Sequence, residues 1–276
     1  MGMFDAFRFD GKRALVVGAA TGMGNAAAQL ALDAGAEVIG MDYAEVTIPG
    51  VKSVHVNLAD KDSIDKAIPE IGGPVNVVFS CAGVADGTPG IEKINFIGHR
   101  YLLDNLLARD LLGRGGAIGF ISSAAGLGWE PALPLIKEYL AITDFDAASQ
   151  WAIDHNQAHY MWSKQVICAY VASEAMGLLK RGIRINAICP GPTDTPLAQA
   201  NKEMWLGFGA DYRAETGIEA ATPLEQAYPL VFLCSDAAAA ITGQIVVTDS
   251  GYFSAGITES FPPATPVAQF LLGRLT

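Results

Sequence analysis

Short apolar runs alternate with longer helical stretches along most of the chain. Arg13–Gly18 is a short apolar run ending in glycine, the pattern of a parallel strand buried on both faces. Ala-rich Gly22–Ala34 follows and predicts a helix, with Gly35 just past its end. Further strands are predicted at Glu37–Asp42, Val51–Val56, Val75–Ser80, Ala117–Ser122, Ile183–Ile188 and Gln244–Thr248. Between them lie helices near Lys61–Ile68, Ile91–Leu112, Ala158–Lys180 and Pro223–Cys234. Strands joined by helical crossovers imply an α/β fold, a doubly wound parallel sheet of seven strands covered on both faces. No repeat or Pro/Gly-rich linker divides residues 1–276, so one domain is expected. Two stretches interrupt the alternation, Ala124–Gln157 and Pro196–Thr222. Both follow predicted strand ends, the edge of an open α/β sheet where ligands bind. The last stretch, Ser254–Thr276, has three prolines and no clear period, which fits a lid, an interface arm or a disordered tail.

Composition narrows the partners. Hydrophobic residues make up 51% and charged residues 17% of the 276, the balance of a chain with a large core and not of a disordered one. A net charge of −11 argues against nucleic acid or an anionic membrane surface, both of which need basic patches. No apolar stretch reaches the roughly 18 residues of a spanning helix. Met1–Phe9 lacks a basic region followed by a long apolar run, so a cytoplasmic protein is expected. The four cysteines lie far apart with no Cys-x-x-Cys, which suits reduced thiols; Cys168 and Cys189, in apolar runs, read as inert small hydrophobes.

The glycine-rich turn carries the first chemistry. Gly18, Gly22 and Gly24 sit between a predicted strand and a predicted helix. Glycines permit a tight turn and a close approach of backbone to a pyrophosphate, and the helix N-terminus adds N–H donors and partial positive charge. The spacing is G-x-x-x-G-x-G and not G-x-G-x-x-G. Asp42 ends the second strand, where a carboxylate accepts from both adenosine-ribose hydroxyls and repels a 2′-phosphate. No Lys or Arg lies in the turn or beside Asp42, which favours NAD over NADP.

Tyr160 and Lys164 stand at i, i+4 on one helix face. With the glycine turn, this pair makes the chain resemble the short-chain dehydrogenase/reductase family, from about Gly11 to Gly251. Cys81-Ala82-Gly83 is similar to the end of that family's Asn-Asn-Ala-Gly motif, with Ser80-Cys81 in place of the two asparagines. Asn95 falls in the following helix, and Ile121-Ser122-Ser123 matches the strand end that bears the serine. Asn186 to Gly191 resembles the sixth strand and its Pro-Gly turn. The segment 128–155 between serine and tyrosine is longer than usual for the family, a feature shared with bacterial 3α-hydroxysteroid dehydrogenase/carbonyl reductases.

The resemblance implies a Rossmann-type fold and ketone–alcohol interconversion with NAD. Tyr160 is implied as acid/base, Lys164 as the cation that holds its phenol below the usual pKa of about 10, Ser123 as the hydrogen-bond partner of the substrate oxygen, and Asn95 as the anchor of a water. The cofactor is implied to contact Gly18, Thr21, Gly22, Met23 and Gly24, then Asp42, Tyr43, Asn57 and Leu58. It is implied to continue along Cys81, Ala82, Gly83, Tyr160, Lys164, Pro190, Gly191, Thr193 and Thr195. No metal is expected: His155 and His159 at i, i+4 lack the glutamate of a zinc-protease motif and a third ligand, and read as exposed helix histidines.

Apolar residues such as Trp129, Leu133, Trp151, Trp205 and Phe208 in 128–155 and 196–222 suit a bulky hydrophobic substrate, steroid-like, terpenoid or cyclic. They equally suit burial against the protein or a second subunit, and a homodimer or homotetramer is expected. Two other functions share these features: a non-catalytic dinucleotide-binding regulator, and a C=C reductase or other chemistry on the same fold.

Overall fold

A computed structural model describes residues 2–274. Seven parallel strands form one sheet: β1 (Arg13–Val17), β2 (Glu37–Asp42), β3 (Lys52–His55), β4 (Val75–Ser80), β5 (Leu112–Ile121), β6 (Arg184–Pro190) and β7 (Ile245–Thr248). Their order across the sheet is β3-β2-β1-β4-β5-β6-β7. The order in which successive strands are added reverses beside β1, so β1 and β4 flank the switch point where an α/β sheet opens a crevice.

Residues of β1 alternate between two cores. Leu15 and Val17 join one apolar cluster, Ala14 and Val16 the other, and all four are buried. Helix α1 (Gly22–Asp33) packs its alanines Ala27, Ala28 and Ala31 into the second cluster, together with Leu230 and Leu233 of α10 (Pro223–Cys234). The opposite face carries α2 (Lys61–Glu70), α3 (Gly98–Ala108) and the 21-residue α6 (Tyr160–Lys180).

The stretch predicted as one helix over Ile91–Leu112 is divided. Lys93–Ile97 is a π-turn, α3 ends at Ala108, and Leu112 already belongs to β5. A π-turn widens the helix by one residue and turns a side chain out of register, here Asn95. Strand β5 begins before the predicted Ala117, with a register irregularity opposite Val75 and Val77.

Segment 128–155 folds into α4 (Trp129–Leu140) and α5 (Phe145–Asp154). Their apolar side chains go inward: Ile136, Tyr139, Phe145, Ala148 and Ala152 are buried. Tyr139 packs on Phe96, Trp151 and Trp162, with ring centroids 5.1–6.1 Å apart. These residues therefore extend the core over α6, and burial against the protein accounts for them. His155 is exposed, but His159 is not a free helix histidine: it caps α6 and accepts from Trp162 N–H.

The tail is helical. α11 (Tyr252–Ile257) and α12 (Thr265–Leu271) bury Tyr252, Ala264, Ala268 and Leu271, and this burial rules out disorder over most of 254–274. Residues 275 and 276 of the predicted tail lie outside the described residues. No helix among the described residues is long and apolar enough to cross a membrane.

Candidate active site

The glycine turn closes on itself by backbone contact. A Cβ added to Gly24 would lie 2.0 Å from the Gly18 carbonyl oxygen, so only glycine fits. Gly18 adopts φ +91° and passes under Ala82, whose amide nitrogen would lie 2.5 Å from an added Cβ. Thr21 forms the N-cap of α1 without a side-chain cap, and no acidic residue occupies the first turn. The helix thus presents open N–H donors, the arrangement that receives a phosphate. Asp42 fixes the turn from the side: its carboxylate accepts from Ala20 N–H at 2.9 Å and Ala44 N–H at 3.0 Å. Tyr43 beside it is exposed, its ring 5.5 Å from that of His55. Leu58 is buried beneath Gly98, and Asn57 accepts from Ala59 N–H.

The loop after β4 crosses this turn. Cys81 and Ala82 both donate their N–H to Val17 O, at 2.8 and 2.9 Å. His99 donates from Nε2 to Ala82 O at 3.0 Å, and burial holds its imidazole neutral by lowering its pKa to about 4. Asn95 is fully buried, and its amide is committed: Oδ1 accepts from Val84 N–H, and Nδ2 donates to Val84 O and Ser163 Oγ. Gly83 lies between Asn95 and Lys164; a Cβ there would stand 3.5 Å from both Asn95 Oδ1 and Lys164 Nζ.

Ser123 follows β5, accepting from Ala125 N–H, and its hydroxyl lowers the pKa of the Tyr160 phenol. Tyr160 opens α6 and is half-buried under Trp205 of α8 (Lys202–Trp205), with ring centroids 4.9 Å apart. Lys164, one turn on, is buried and donates to Ile121 O at 3.0 Å; its Nζ lies 5.4 Å from the Tyr160 ring centre.

Burial lowers the ammonium pKa to about 8 and pushes the phenol up to about 12, with the Ser123 hydrogen bond pulling it back. Burial outweighs the Ser123 hydroxyl in setting the phenol's pKa. The low-dielectric surroundings disfavour the phenolate, and the ammonium is turned toward a carbonyl. The phenol keeps its proton at neutral pH.

Beyond β6, Pro190 and Gly191 pass beside Asp249, Thr193 donates to Gly191 O, and Thr195 caps α7 (Pro196–Ala200). The Thr195 methyl approaches Gly22 of the glycine turn. The sequence candidates thus converge on one crevice at the carboxyl ends of β1, β4, β5 and β6. Sequence reasoning missed Asp86, His99 and Ser163, which reach the site only through contacts distant in the chain; Trp205, expected near the substrate, lies over Tyr160. Cys168 and Cys189 are free thiols 3.7 Å apart beneath Lys164, with Ser122 Oγ 3.2 Å from Cys168. No group of metal-binding side chains occurs among the described residues.

A parallel sheet with a glycine-cradled helix N-terminus, and a Ser–Tyr–Lys cluster at its switch point, defines a dinucleotide-binding α/β protein. The chain belongs to the short-chain dehydrogenase/reductase family. Residues 14–169 match the NAD dependent epimerase/dehydratase family and residues 127–253 match enoyl-(acyl carrier protein) reductase. It is 31% identical to an L-rhamnose 1-dehydrogenase (NAD(P)(+)) of a Sphingomonas species, over 88% of this chain and 97% of that one. It is 27% identical to a coniferyl-alcohol dehydrogenase of a Pseudomonas species, over 88% and 97%. The crystal structure of 3-alpha-hydroxysteroid dehydrogenase from Pseudomonas sp. B-0831, complexed with NADH, superposes with a TM-score of 0.72 at 25% identity. That match covers 90% of this chain and 98% of the other.

Proposed function

We propose that the protein is an NAD-dependent oxidoreductase that interconverts a hydrophobic secondary alcohol, steroid-like, terpenoid or cyclic, with its ketone. The observation that carries this reading is Tyr160 at the opening of α6, set one helical turn from buried Lys164, whose Nζ lies 5.4 Å from the phenol ring centre. The residues fit a nicotinamide dinucleotide: Gly18 and Gly24 let the turn close backbone on backbone before α1, and the first turn of α1 carries no competing carboxylate. Gly18, Thr21, Gly22, Met23 and Gly24 would hold the pyrophosphate. Asp42, Tyr43, Asn57 and Leu58 would hold the adenosine half. Cys81, Ala82, Gly83, Pro190, Gly191, Thr193 and Thr195, with Tyr160 and Lys164, would hold the nicotinamide half. When bound, the dinucleotide supplies or accepts the hydride, and in its oxidised form adds a positive charge.

The chain's own groups handle the proton. Tyr160 keeps its phenolic proton at neutral pH and delivers it to a carbonyl oxygen, while the Ser123 hydroxyl polarises that oxygen. In the direction of alcohol oxidation the phenol must first lose that proton, so this direction gains from rising pH. Below about pH 8 Lys164 carries the positive charge that would favour the phenolate. Asn95 acts as a positioning residue, since its amide ties Val84 to Ser163 on the tyrosine helix. Trp205 over Tyr160 supplies an apolar wall, which supports a cyclic or hydrophobic substrate. The reading includes a homodimer or homotetramer, supported by exposed Leu224 and Tyr228 on α10 and exposed Val247 on the edge strand β7.

Asp42 tests the choice of dinucleotide. Removing its carboxylate in Asp42→Ala removes the repulsion of a 2′-phosphate. The NADP/NAD ratio of kcat/KM is expected to rise about tenfold to hundredfold. A wild-type protein that already prefers NADP contradicts the assignment.

A further inference from the structure

Asp86 lies in the loop after β4, far in sequence from the tyrosine. Its Oδ1 accepts the Tyr160 backbone N–H at 2.6 Å. Tyr160 is the first residue of α6, and its N–H has no partner within the helix. The helix's own cap, His159, serves a different donor, the N–H of Trp162. Asp86 therefore fills a position that the local sequence leaves open.

The loop that carries Asp86 is tied at three points. Cys81 and Ala82 donate to Val17 O of β1, Val84 is held by Asn95, and Asp86 reaches the first peptide of α6. The last tie joins the candidate dinucleotide loop to the backbone of the residue that carries the reacting phenol. Asp86 is exposed, and no Lys or Arg pairs with it among the described residues. Its charge is answered by the N-terminal dipole of α6 and is otherwise free to act on the tyrosine.

The groups around the Tyr160 side chain can be named by element. Lys164 comes from α6, Cys189 from β6, Ser123 from the end of β5, Asp86 from the loop after β4 and uncharged Trp205 from α8. His159 precedes the tyrosine in the chain and is committed to capping. Asp86 is the carboxylate in this set, opposed in sign to Lys164.

We infer that Asp86 is a positioning residue for the reaction, anchoring the Tyr160 backbone to the dinucleotide loop and setting a carboxylate at the first turn of the tyrosine helix. The inference rests on the reading of Tyr160 as the acid/base. A carboxylate that disfavours the phenolate keeps the tyrosine protonated, in the form that donates to a ketone. The direction agrees with the effect of Asp86 on the phenol, which is upward.

Two variants separate anchor from charge. Asp86→Asn keeps an oxygen that accepts the Tyr160 N–H and removes the charge. Asp86→Ala removes both. Asp86→Ala is expected to lower kcat about tenfold, the scale of a lost hydrogen bond to a charged group, and Asp86→Asn to restore most of that loss. Both variants are expected to move the alkaline limb of ketone reduction down by about half a pH unit at low salt, and by less in high salt. Tyrosinate ultraviolet absorbance, with Tyr160→Phe as the blank, reads the same shift without turnover. Thermal melting of each variant identifies any that fails to fold, in which case Asp86→Asn alone decides.

Wild-type kcat in Asp86→Ala, with an unmoved tyrosinate titration, overturns the inference and leaves Asp86 a surface contact. If Tyr160→Phe itself retains full turnover, it is the acid/base reading that fails, and the tyrosinate titration still judges the charge effect.

Discussion

Replacing Tyr160 by Phe is expected to cut turnover by about a thousandfold, within the range for removal of a positioned acid/base. The phenyl ring retains the contact with Trp205, and the backbone N–H still meets Asp86, so the fold around the site is conserved. Only the hydroxyl that meets Ser123 is lost. Dinucleotide affinity, followed by fluorescence titration with NADH, is expected to stay nearly unchanged. Turnover in Tyr160→Phe close to wild type would mean that another group moves the proton.

Gly24→Ala is expected to damage folding and dinucleotide binding together. The added methyl would sit 2.0 Å from the Gly18 carbonyl oxygen and 3.0 Å from the Cys81 Cβ, in contact with backbone that cannot rotate away. Relief requires α1 to shift away from the turn. Overpacking of this kind costs about 3 kcal/mol. A displacement of the helix N-terminus by about 1 Å is expected to weaken dinucleotide binding by about a hundredfold. Gly113→Ala serves as the comparison, because nothing lies within 4 Å of a Cβ there. Thermal melting with and without NAD checks both effects: the alanine at 24 lowers the melting temperature and loses the NAD-induced rise, whereas the alanine at 113 retains that rise.

The sheet was legible because its strands are buried on both faces and read as short continuous apolar runs. β2 and β4 fall at their predicted bounds, Glu37–Asp42 and Val75–Ser80, and the helix Pro223–Cys234 begins at a Thr222–Glu225 capping box. The helix near 91–112 was legible as a helix but not as a broken one. Its π-turn is fixed by the tertiary demands on Asn95, which bonds a loop and another helix. The segment 128–155 showed its apolar side chains in the sequence, but not their direction. Tyr139 and Phe145 turn into the core, and only packing against α6 and the π-turn decides that.

Within the site, residues tied to short motifs were visible: the glycines of the turn, Ser123 at a strand end, Tyr160 and Lys164 one helical turn apart. Residues that arrive by tertiary contact were not. Asp86 is one carboxylate among 29 acidic residues, and nothing local marks it as the partner of a peptide 74 positions away. The electrostatics of the site was legible only in part, for a related reason. The i, i+4 spacing of Tyr160 and Lys164 shows that a cation is near, but not that the site is dry or that the ammonium faces Ile121 O.

The central claim is tested most directly by the absorbance of reduced nicotinamide, followed with the purified protein, NAD or NADP, and a panel of steroid, terpenoid and cyclic secondary alcohols. The account predicts formation of NADH with at least one hydrophobic class, faster with NAD than with NADP, and the reverse reaction with the matching ketone. Tight binding of NAD without oxidation of any alcohol or reduction of any ketone in the panel would contradict it and favour a dinucleotide-binding regulator.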